Sequence, residues 1–335
     1  MLDTDATALF PDRISGCAFF DIYLSNDERQ TPMVRGLRPL NSTTYQGRPG
    51  VGALPDCLAG DVGHLLGKVE ARFAETGEAE FVVLHDGIYY RCALIAAPGT
   101  VGIAGPDTCR DWCVRQIGSS APILGDIELP GDLVSSLRDA GKERGLVIIS
   151  GSFGSGKSTT ASAALLDWVT GNRESAVTFE DPPEFPLAGR YPDGGIIHQV
   201  PVTQETLSGS IISARRWSPR YVFLGEIRTP GSAAELLHMA ISGPMTLCTV
   251  HASDLVQALA SLARFAGTAI GDTEARRMIA ASLRLVVHQD LSWGHMIARK
   301  AVFHAHGMQA MRHKIETGRF NALYEDFERQ SSGLR

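Results

Sequence analysis

The chain has 335 residues, about twice the length of a usual domain, so we expect two domains that each have their own core. Its composition, with 44% hydrophobic and 20% charged residues and a net charge of −6, is that of an ordinary globular protein and predicts no direct binding to nucleic acid. The six cysteines form no C-x-x-C pair, which argues against a zinc site or a disulfide framework and favours a reducing compartment.

The start of the sequence and its most apolar stretch bear on targeting and membrane insertion. The sequence begins with MLDTDATALFPDR, which is acidic before any apolar run, and the most apolar stretch, at 92–105, is short and interrupted by Pro98. We therefore predict no signal peptide, no membrane span and a cytoplasmic location.

Short apolar runs dominate the first third of the chain. They predict strands at 19–25, 80–85, 88–96 and 111–117, and one helix that ends at Gly77. This mixture predicts a small α+β domain over residues 1–117. The next segment, 118–126, is small, polar and interrupted by Pro122, which is typical of a linker.

Strands and helices alternate in the remaining segment, 127–335. Strands are expected at 146–150, 176–180, 221–225 and 245–250, and helices at 158–170, 232–242, 254–265 and 273–287. Such alternation predicts an α/β domain in which helices cover both faces of a parallel sheet.

A glycine-rich loop lies between the first of these strands and the first helix. The pattern G-x-x-x-x-G-K-[ST] is satisfied by Gly151, Gly156, Lys157 and Ser158, with a further glycine at Gly154. Such glycines let successive backbone N–H groups point at a phosphate, beside the positive end of the helix. We expect Lys157 to reach the β- and γ-phosphates of ATP and to face solvent without it, and Ser158 to ligate Mg²⁺.

Acidic residues follow two other predicted strands. Glu226 ends the strand in YVFLGEIR, and Glu180, Asp181 and Glu184 follow the strand in VTFEDPPEFP. Carboxyl ends of parallel strands are where open α/β sheets bind ligands, and ATP hydrolysis needs a carboxylate that polarises a water. These acids are therefore candidates for metal binding and water activation.

Four segments together resemble one known family. They are GSFGSGKST (151–159), TFEDPPEF (178–185), FLGEIR (223–228) and CTVHAS (248–253). In order and approximate spacing they resemble the Walker A, Asp box, Walker B and His box of the type II/type IV secretion ATPase superfamily. The chain is most similar to its PilT-type retraction ATPases and its TraJ/DotB-like conjugation and secretion ATPases. FDIYLS, PMVRGLRPL and YYRCALIA resemble the family's N-terminal signatures.

The resemblance implies a hexameric ring in which an N-terminal PAS-like domain and a C-terminal RecA-like domain clamp ATP and rotate on hydrolysis. It implies ATP contacts from Gly151, Gly154, Ser155, Gly156, Lys157, Ser158, Thr159, Arg91, Arg216 and Arg228. It implies Mg²⁺ contacts from Ser158, Glu180, Asp181 and Glu226. It implies catalytic roles for Glu184, Glu226, Lys157, His251 and Arg115, with His251 sensing the γ-phosphate and Arg115 acting on a neighbouring subunit's nucleotide.

The same resemblance implies a motor at the cytoplasmic face of the inner membrane, acting on platform or secretion-channel partners of a type IV pilus or a conjugative type IV secretion system. The chain departs from the family's pattern at three positions: Tyr23 replaces a histidine, Cys92 follows Arg91 where the family has other residues, and Ile212 replaces one arginine of a pair. Two alternatives therefore stay open. One is a nucleotide-binding structural or regulatory ring with little turnover, and the other is a small-molecule P-loop kinase.

Overall fold

The computed structural model describes residues 10–19, 21–27, 29–39, 50–95, 110–117, 120–292, 295–303 and 308–331. The chain divides into two compact units, 1–119 and 120–335. Residues 1–9 and 96–109, on which part of the expectation about targeting and membrane segments rests, lie outside the described residues. Within the described ranges, no helix has both the length and the apolar composition to cross a bilayer.

The N-terminal unit is built on an antiparallel sheet. Its elements are β1 (Cys17–Ala18), β2 (Asp21–Ser25), β3 (Met33–Arg35), β4 (Arg38–Pro39), β5 (Val51–Ala53), α1 (Asp56–Thr76), β6 (Glu80–His85), β7 (Ile88–Ile95) and β8 (Asp111–Gln116). In the described part of this unit, the strand order is β5-β3-β2-β8-β7-β6, and β1 pairs with β4.

One helix covers this sheet. The buried residues of α1, Leu58, Val62, Leu65 and Val69, recur at helical spacing and join the core of the unit. The helix ends where the sequence predicts, at Gly77, which adopts a left-handed conformation with φ of 66°. The four strands predicted from apolar runs are present as β2, β6, β7 and β8.

The C-terminal unit is an α/β domain. Its elements are α2 (Gly131–Ala140), β9 (Gly145–Gly151), α3 (Lys157–Asn172), β10 (Ser175–Glu180), β11 (Gly189–Arg190), β12 (Ile196–Pro201), α4 (Leu207–Ala214), β13 (Tyr221–Leu224), α5 (Pro230–Ser242), β14 (Met245–His251), α6 (Leu255–Ile270), α7 (Asp272–Ser282), β15 (Leu283–Ser292), β16 (His295–Val302), α8 (Gln309–Glu316) and α9 (Leu323–Ser331).

The main sheet of this unit is parallel apart from its edges. Over the residues described, its order is β11-β12-β10-β13-β14-β9-β15-β16, and the edge strands β11 and β16 pair antiparallel. Every residue of β9 is buried, as a strand covered on both faces requires. Leu146 and Ile148 join the core formed with α5 and α6, whereas Val147 and Ile149 join the core formed with α2 and α3. The prediction of a parallel sheet with helices on both faces is therefore confirmed.

The prediction of one helix over 273–287 is wrong in its last third. The helix α7 ends at Ser282, and Leu283 is already extended, with φ of −60° and ψ of 131°. From there β15 pairs parallel with β9 and antiparallel with β16. The run around Val286 and Val287 is β-branched and fits between two strands better than on a helix. The strands β12 and β16 and the helices α2 and α4 were not predicted.

A glycine packed against a tryptophan joins α2 to the sheet. Trp168 of α3 donates its indole N–H to the Leu137 carbonyl at 2.7 Å, and the Tyr221 hydroxyl donates to the Gly141 carbonyl at 2.9 Å. A Cβ added at Gly141 would lie 2.2 Å from Trp168 Cδ1. The ring and the glycine backbone therefore leave no room for a side chain at this position.

This packing predicts opposite outcomes for two glycine-to-alanine changes. Gly141→Ala should destabilise the protein by about 1–3 kcal/mol, because the ring or the backbone must move. Gly171→Ala, in α3 with nothing within 4 Å of its added Cβ, should be neutral or stabilise by up to about 1 kcal/mol. Urea denaturation followed by circular dichroism measures both. Equal midpoints for the two variants would contradict the packing argument.

Candidate functional site

The carboxyl ends of the parallel strands bring the candidate residues together. Gly151 ends β9, Glu180 ends β10, Glu226 follows β13 by two residues, and His251 ends β14. The register places Gly151 opposite both His251 and Gln289 of β15. These four predicted site residues therefore lie along one edge of the sheet, where α/β domains bind ligands.

The glycine-rich loop has a backbone that its glycines make possible. Gly151, Gly154 and Gly156 have φ values of 155°, 71° and 81°. A Cβ at Gly151 would lie 2.1 Å from the carbonyl oxygen of Gln289. Gly156 immediately precedes α3, so the loop leads its N–H groups into the N-terminus of a sixteen-residue helix. This cradle fits a phosphate chain.

Lys157 lies folded against the loop, and the expectation that it faces solvent is wrong. The residue is only 8% exposed, and its Nζ donates to the carbonyls of Gly151 at 3.1 Å and Ser152 at 2.7 Å. Burial lowers the pKa of its ammonium, while the carboxylates of Glu226 and Glu184 act in the opposite direction. The loop carbonyls take the place of a ligand, because a buried ammonium needs acceptors.

Gln289, which sequence reasoning missed, supports the loop from the neighbouring strand. Its Nε2 donates to the Ser155 carbonyl at 2.6 Å, and the residue is fully buried. The Oγ of Ser155 and the Oε1 of Gln289 are both buried without a protein partner in the described structure. The two residues are 134 positions apart, so no local pattern could have paired them.

Glu180 is the buried member of the acid-rich turn. It is 3% exposed and accepts from Gln199 Nε2 at 2.8 Å and from the backbone N–H of Glu184. Burial raises the pKa of its carboxyl, and the hydrogen bond from Gln199 opposes that shift. Glu180 therefore holds the turn.

The other two acids of the turn point elsewhere. Asp181 is half-buried and accepts from Gln204 Nε2 at 3.2 Å, whereas Glu184 is exposed. No three His, Cys, Asp or Glu side chains of the described residues are grouped so that they could hold a metal ion. Glu180, Asp181 and Glu226 thus do not form the joint ligand set that was expected.

Glu226 is the centre of a charged row. Its Oε1 lies 3.0 Å from His251 Nε2, and its Oε2 accepts from Arg228 Nε at 2.7 Å. Burial lowers the pKa of the His251 imidazole, and the nearby Lys157 and Arg228 lower it too, against the effect of Glu226. Near neutral pH the ring is therefore uncharged and, with its proton on Nε2, donates to the carboxylate.

An aromatic ring from the loop lies on this histidine. Phe153 and His251 are stacked, with ring centroids 4.6 Å apart and planes inclined by 25°. Phe153 is 78% exposed. Sequence reasoning missed this contact, because the position is unspecified in the loop motif.

The remaining predicted arginines lie on elements other than the loop. Arg115 of β8 pairs with the buried Asp21 at 2.8 Å, and Arg91, its register partner on β7, pairs with Glu80 at 2.9 Å. Both belong to the N-terminal unit. Arg216 is exposed in the short 3-10 helix Arg215–Trp217 of the C-terminal unit. Ser158 and Thr159 are half-buried at the start of α3.

Comparison with known sequences matches this region to one family. Residues 130–327 match the model of the type II/IV secretion system protein family. Among curated relatives, the uncharacterized protein YggR of Escherichia coli is 30% identical over 57% of this chain and 57% of its own length. The type IV pilus ATPase PilU of Pseudomonas aeruginosa is 29% identical over 58% of this chain and 47% of its own length. The chain thus spans about half the length of the curated relatives it matches.

Comparison with solved structures extends over both units. The pilus retraction motor PilT, determined with bound ADP, has a TM-score of 0.66 at 18% identity and covers 92% of this chain and 85% of its own. The ATPase DotB of Legionella pneumophila has a TM-score of 0.63 at 17% identity, over 91% of this chain and 83% of its own. These likenesses show a common fold. Because the family model matches more than half of the chain and covers the loop, the acid-rich turn and the Glu226–His251 row, the chain belongs to the type II/IV secretion system protein family.

Proposed function

We propose that the chain is an ATP-hydrolysing motor subunit that works as a homohexamer in a type IV pilus or a type IV secretion system. One observation carries the proposal: one edge of the sheet holds the phosphate loop with Lys157, the exposed Glu184 and the Glu226–His251 pair. The carboxylates of Glu226 and Glu184 both act to raise the pKa of the Lys157 ammonium. Phosphoryl transfer to water needs a phosphate cradle, a cation and a carboxylate within reach of each other.

The residues present fit ATP and Mg²⁺. The three left-handed glycines form a cradle, and Lys157 exchanges its two loop carbonyls for the β- and γ-phosphate oxygens. Ser158 and Glu226 offer hard oxygen donors, which suits an ion held chiefly by phosphates and water rather than by a protein cage. Bound Mg²⁺ supplies charge neutralisation on the β- and γ-phosphates.

Glu184 polarises the attacking water. It is exposed, so a water can reach its carboxylate, whereas the carboxylate of Glu180 is occupied by Gln199 and the turn. His251 joins the γ-phosphate to Glu226, and Arg228 holds the other oxygen of that carboxylate. Loss of the γ-phosphate therefore changes the environment of His251 and of the Glu226–Arg228 ion pair connected to it.

Our proposal for the partner proteins is based on membership of the family. We propose that nucleotide-driven domain rotation acts on an inner-membrane platform or secretion-channel protein at the cytoplasmic face. Pilus retraction and conjugative secretion are both compatible with such a motor.

Lys157→Ala should abolish ATP binding and turnover, because the charge that faces the phosphates is lost. The matched control is Lys142→Ala, which removes an exposed lysine of the same unit whose partner, Asp139, is three residues away. Isothermal titration with ATP and a phosphate-release assay measure the two steps, and light scattering should give a particle of about six subunits. Undiminished turnover by folded Lys157→Ala protein would overturn the site assignment.

Glu184→Gln should leave ATP binding intact and reduce hydrolysis by about 10²-fold or more, since an amide cannot accept a proton from water. Glu180→Gln should instead lower stability, because it changes a buried group with two donors already in place. Binding, single-turnover hydrolysis and the denaturation midpoint are measured for both variants. A stable, inactive Glu180→Gln beside an active Glu184→Gln would show that the roles are reversed.

Arg115→Ala should bind ATP like the wild type but lose about 10³-fold in turnover, the scale of an arginine that stabilises transferred phosphate in trans. We propose that it acts on a neighbouring subunit's nucleotide when the domains close. Mixing Lys157→Ala with Arg115→Ala subunits should restore part of the activity, since some interfaces pair an intact loop with an intact arginine. Co-assembled rings without recovery would contradict action in trans.

A further inference from the structure

The most exposed large aromatic side chain in the described residues sits inside the phosphate loop. Phe153 lies between Gly151 and Gly154 and is 78% exposed. Such a ring gains little from burial, so stability of the core does not account for it. Its ring contact is with His251, at 4.6 Å between centroids and 25° between planes. The stack links the loop to the end of β14.

The stack acts on the face of the His251 ring, whereas its polar contacts lie at the ring edge. These polar contacts join Nε2 to Glu226 and the imidazole to the backbone of Gly151, and neither covers the face of the ring. The second side-chain torsion of histidine is broad and has no steep preference of its own. A stacked ring restricts the plane of the imidazole, and such pairs prefer near-parallel, offset arrangements.

The position of Phe153 gives the stack a second consequence. The flanking backbone is the part that we propose to bind the phosphates, and the carbonyls of Gly151 and Ser152 accept hydrogen bonds from Lys157. When Lys157 leaves these carbonyls for a nucleotide, the segment that carries Phe153 loses two of its hydrogen bonds. Because Phe153 stacks on His251, a movement of this segment also changes the contact with the imidazole.

We propose that Phe153 is a positioning residue: it sets the plane of His251 and ties the state of the phosphate loop to the Glu226–Arg228 pair. This inference rests on the proposed ATPase function. It assigns no direct contact with the nucleotide to Phe153, whose position the loop motif leaves unspecified.

The first test separates positioning from nucleotide binding. Phe153→Ala and Phe153→Leu, in the full-length protein, should lower kcat for ATP by about two- to tenfold, the range that an aromatic pair supports, and leave KM unchanged. Phe153→Tyr keeps a ring of the same shape and should retain wild-type kcat. An increase in KM with unchanged kcat would mean that Phe153 contacts the nucleotide, and it would overturn the proposal, as would a Leu variant as active as the Tyr variant.

The second test asks whether the effect passes through His251. In a double-mutant cycle, Phe153→Ala should cause no further loss in a His251→Ala background. Full loss in both backgrounds would show that Phe153 acts by another route and would overturn the proposal.

The third test does not depend on turnover. In protein with ¹³C-labelled histidine, the His251 ring signal, assigned by its absence from His251→Gln, should carry a ring-current shift that Phe153→Ala and Phe153→Leu remove and Phe153→Tyr keeps. Identical His251 signals in the wild type and Phe153→Ala would contradict the stack. A wild type that binds ATP without hydrolysing it would refute the proposed function, and the ring-current result would still decide for or against the positioning of His251.

Discussion

The register of β9 between β14 and β15 is the constraint on which the site depends. It places the last residue of β9, Gly151, opposite His251 on one side and Gln289 on the other. Successive residues of a strand face opposite sides of the sheet, so a slip of one position would turn the β9 core residues toward the wrong helices. The same slip would take the Gln289 amide away from the Ser155 carbonyl. Core packing and loop geometry therefore select one register together.

Charge compensation accounts for the form of the site without nucleotide. An ammonium withdrawn from water needs acceptors, and Lys157 has two carbonyls and the fields of Glu226 and Glu184. Glu226 is itself balanced by Arg228 and by the donor of His251. The groups that we propose to bind the phosphates thus contact one another. A phosphate would have to displace the loop carbonyls from Lys157 in order to bind it.

The sequence is informative wherever the signal is local. The glycine-rich loop, the start of α3, the strands β9, β10, β13 and β14 and the acids at their ends all follow from patterns within about twenty residues. Gln289 could not be found this way, because its partner is 134 residues distant and nothing nearby marks a buried glutamine as a support. The prediction of a helix at 283–287 is wrong for the same reason. Pairing with β9 and β16, and not the local sequence, decides the conformation of that apolar run.

The acid-rich turn shows how burial divides chemically identical groups. Glu180 and Glu184 lie four residues apart, yet the first is 3% exposed with two donors on its carboxylate and the second is exposed. Burial raises the pKa of the Glu180 carboxyl, which disfavours the charged form that would accept a proton. The backbone N–H of Glu184 is one of the donors to Glu180, so the buried acid fixes the place of the exposed one. Structural support by Glu180 and the water activation that we propose for Glu184 are therefore separate tasks of two residues in one motif.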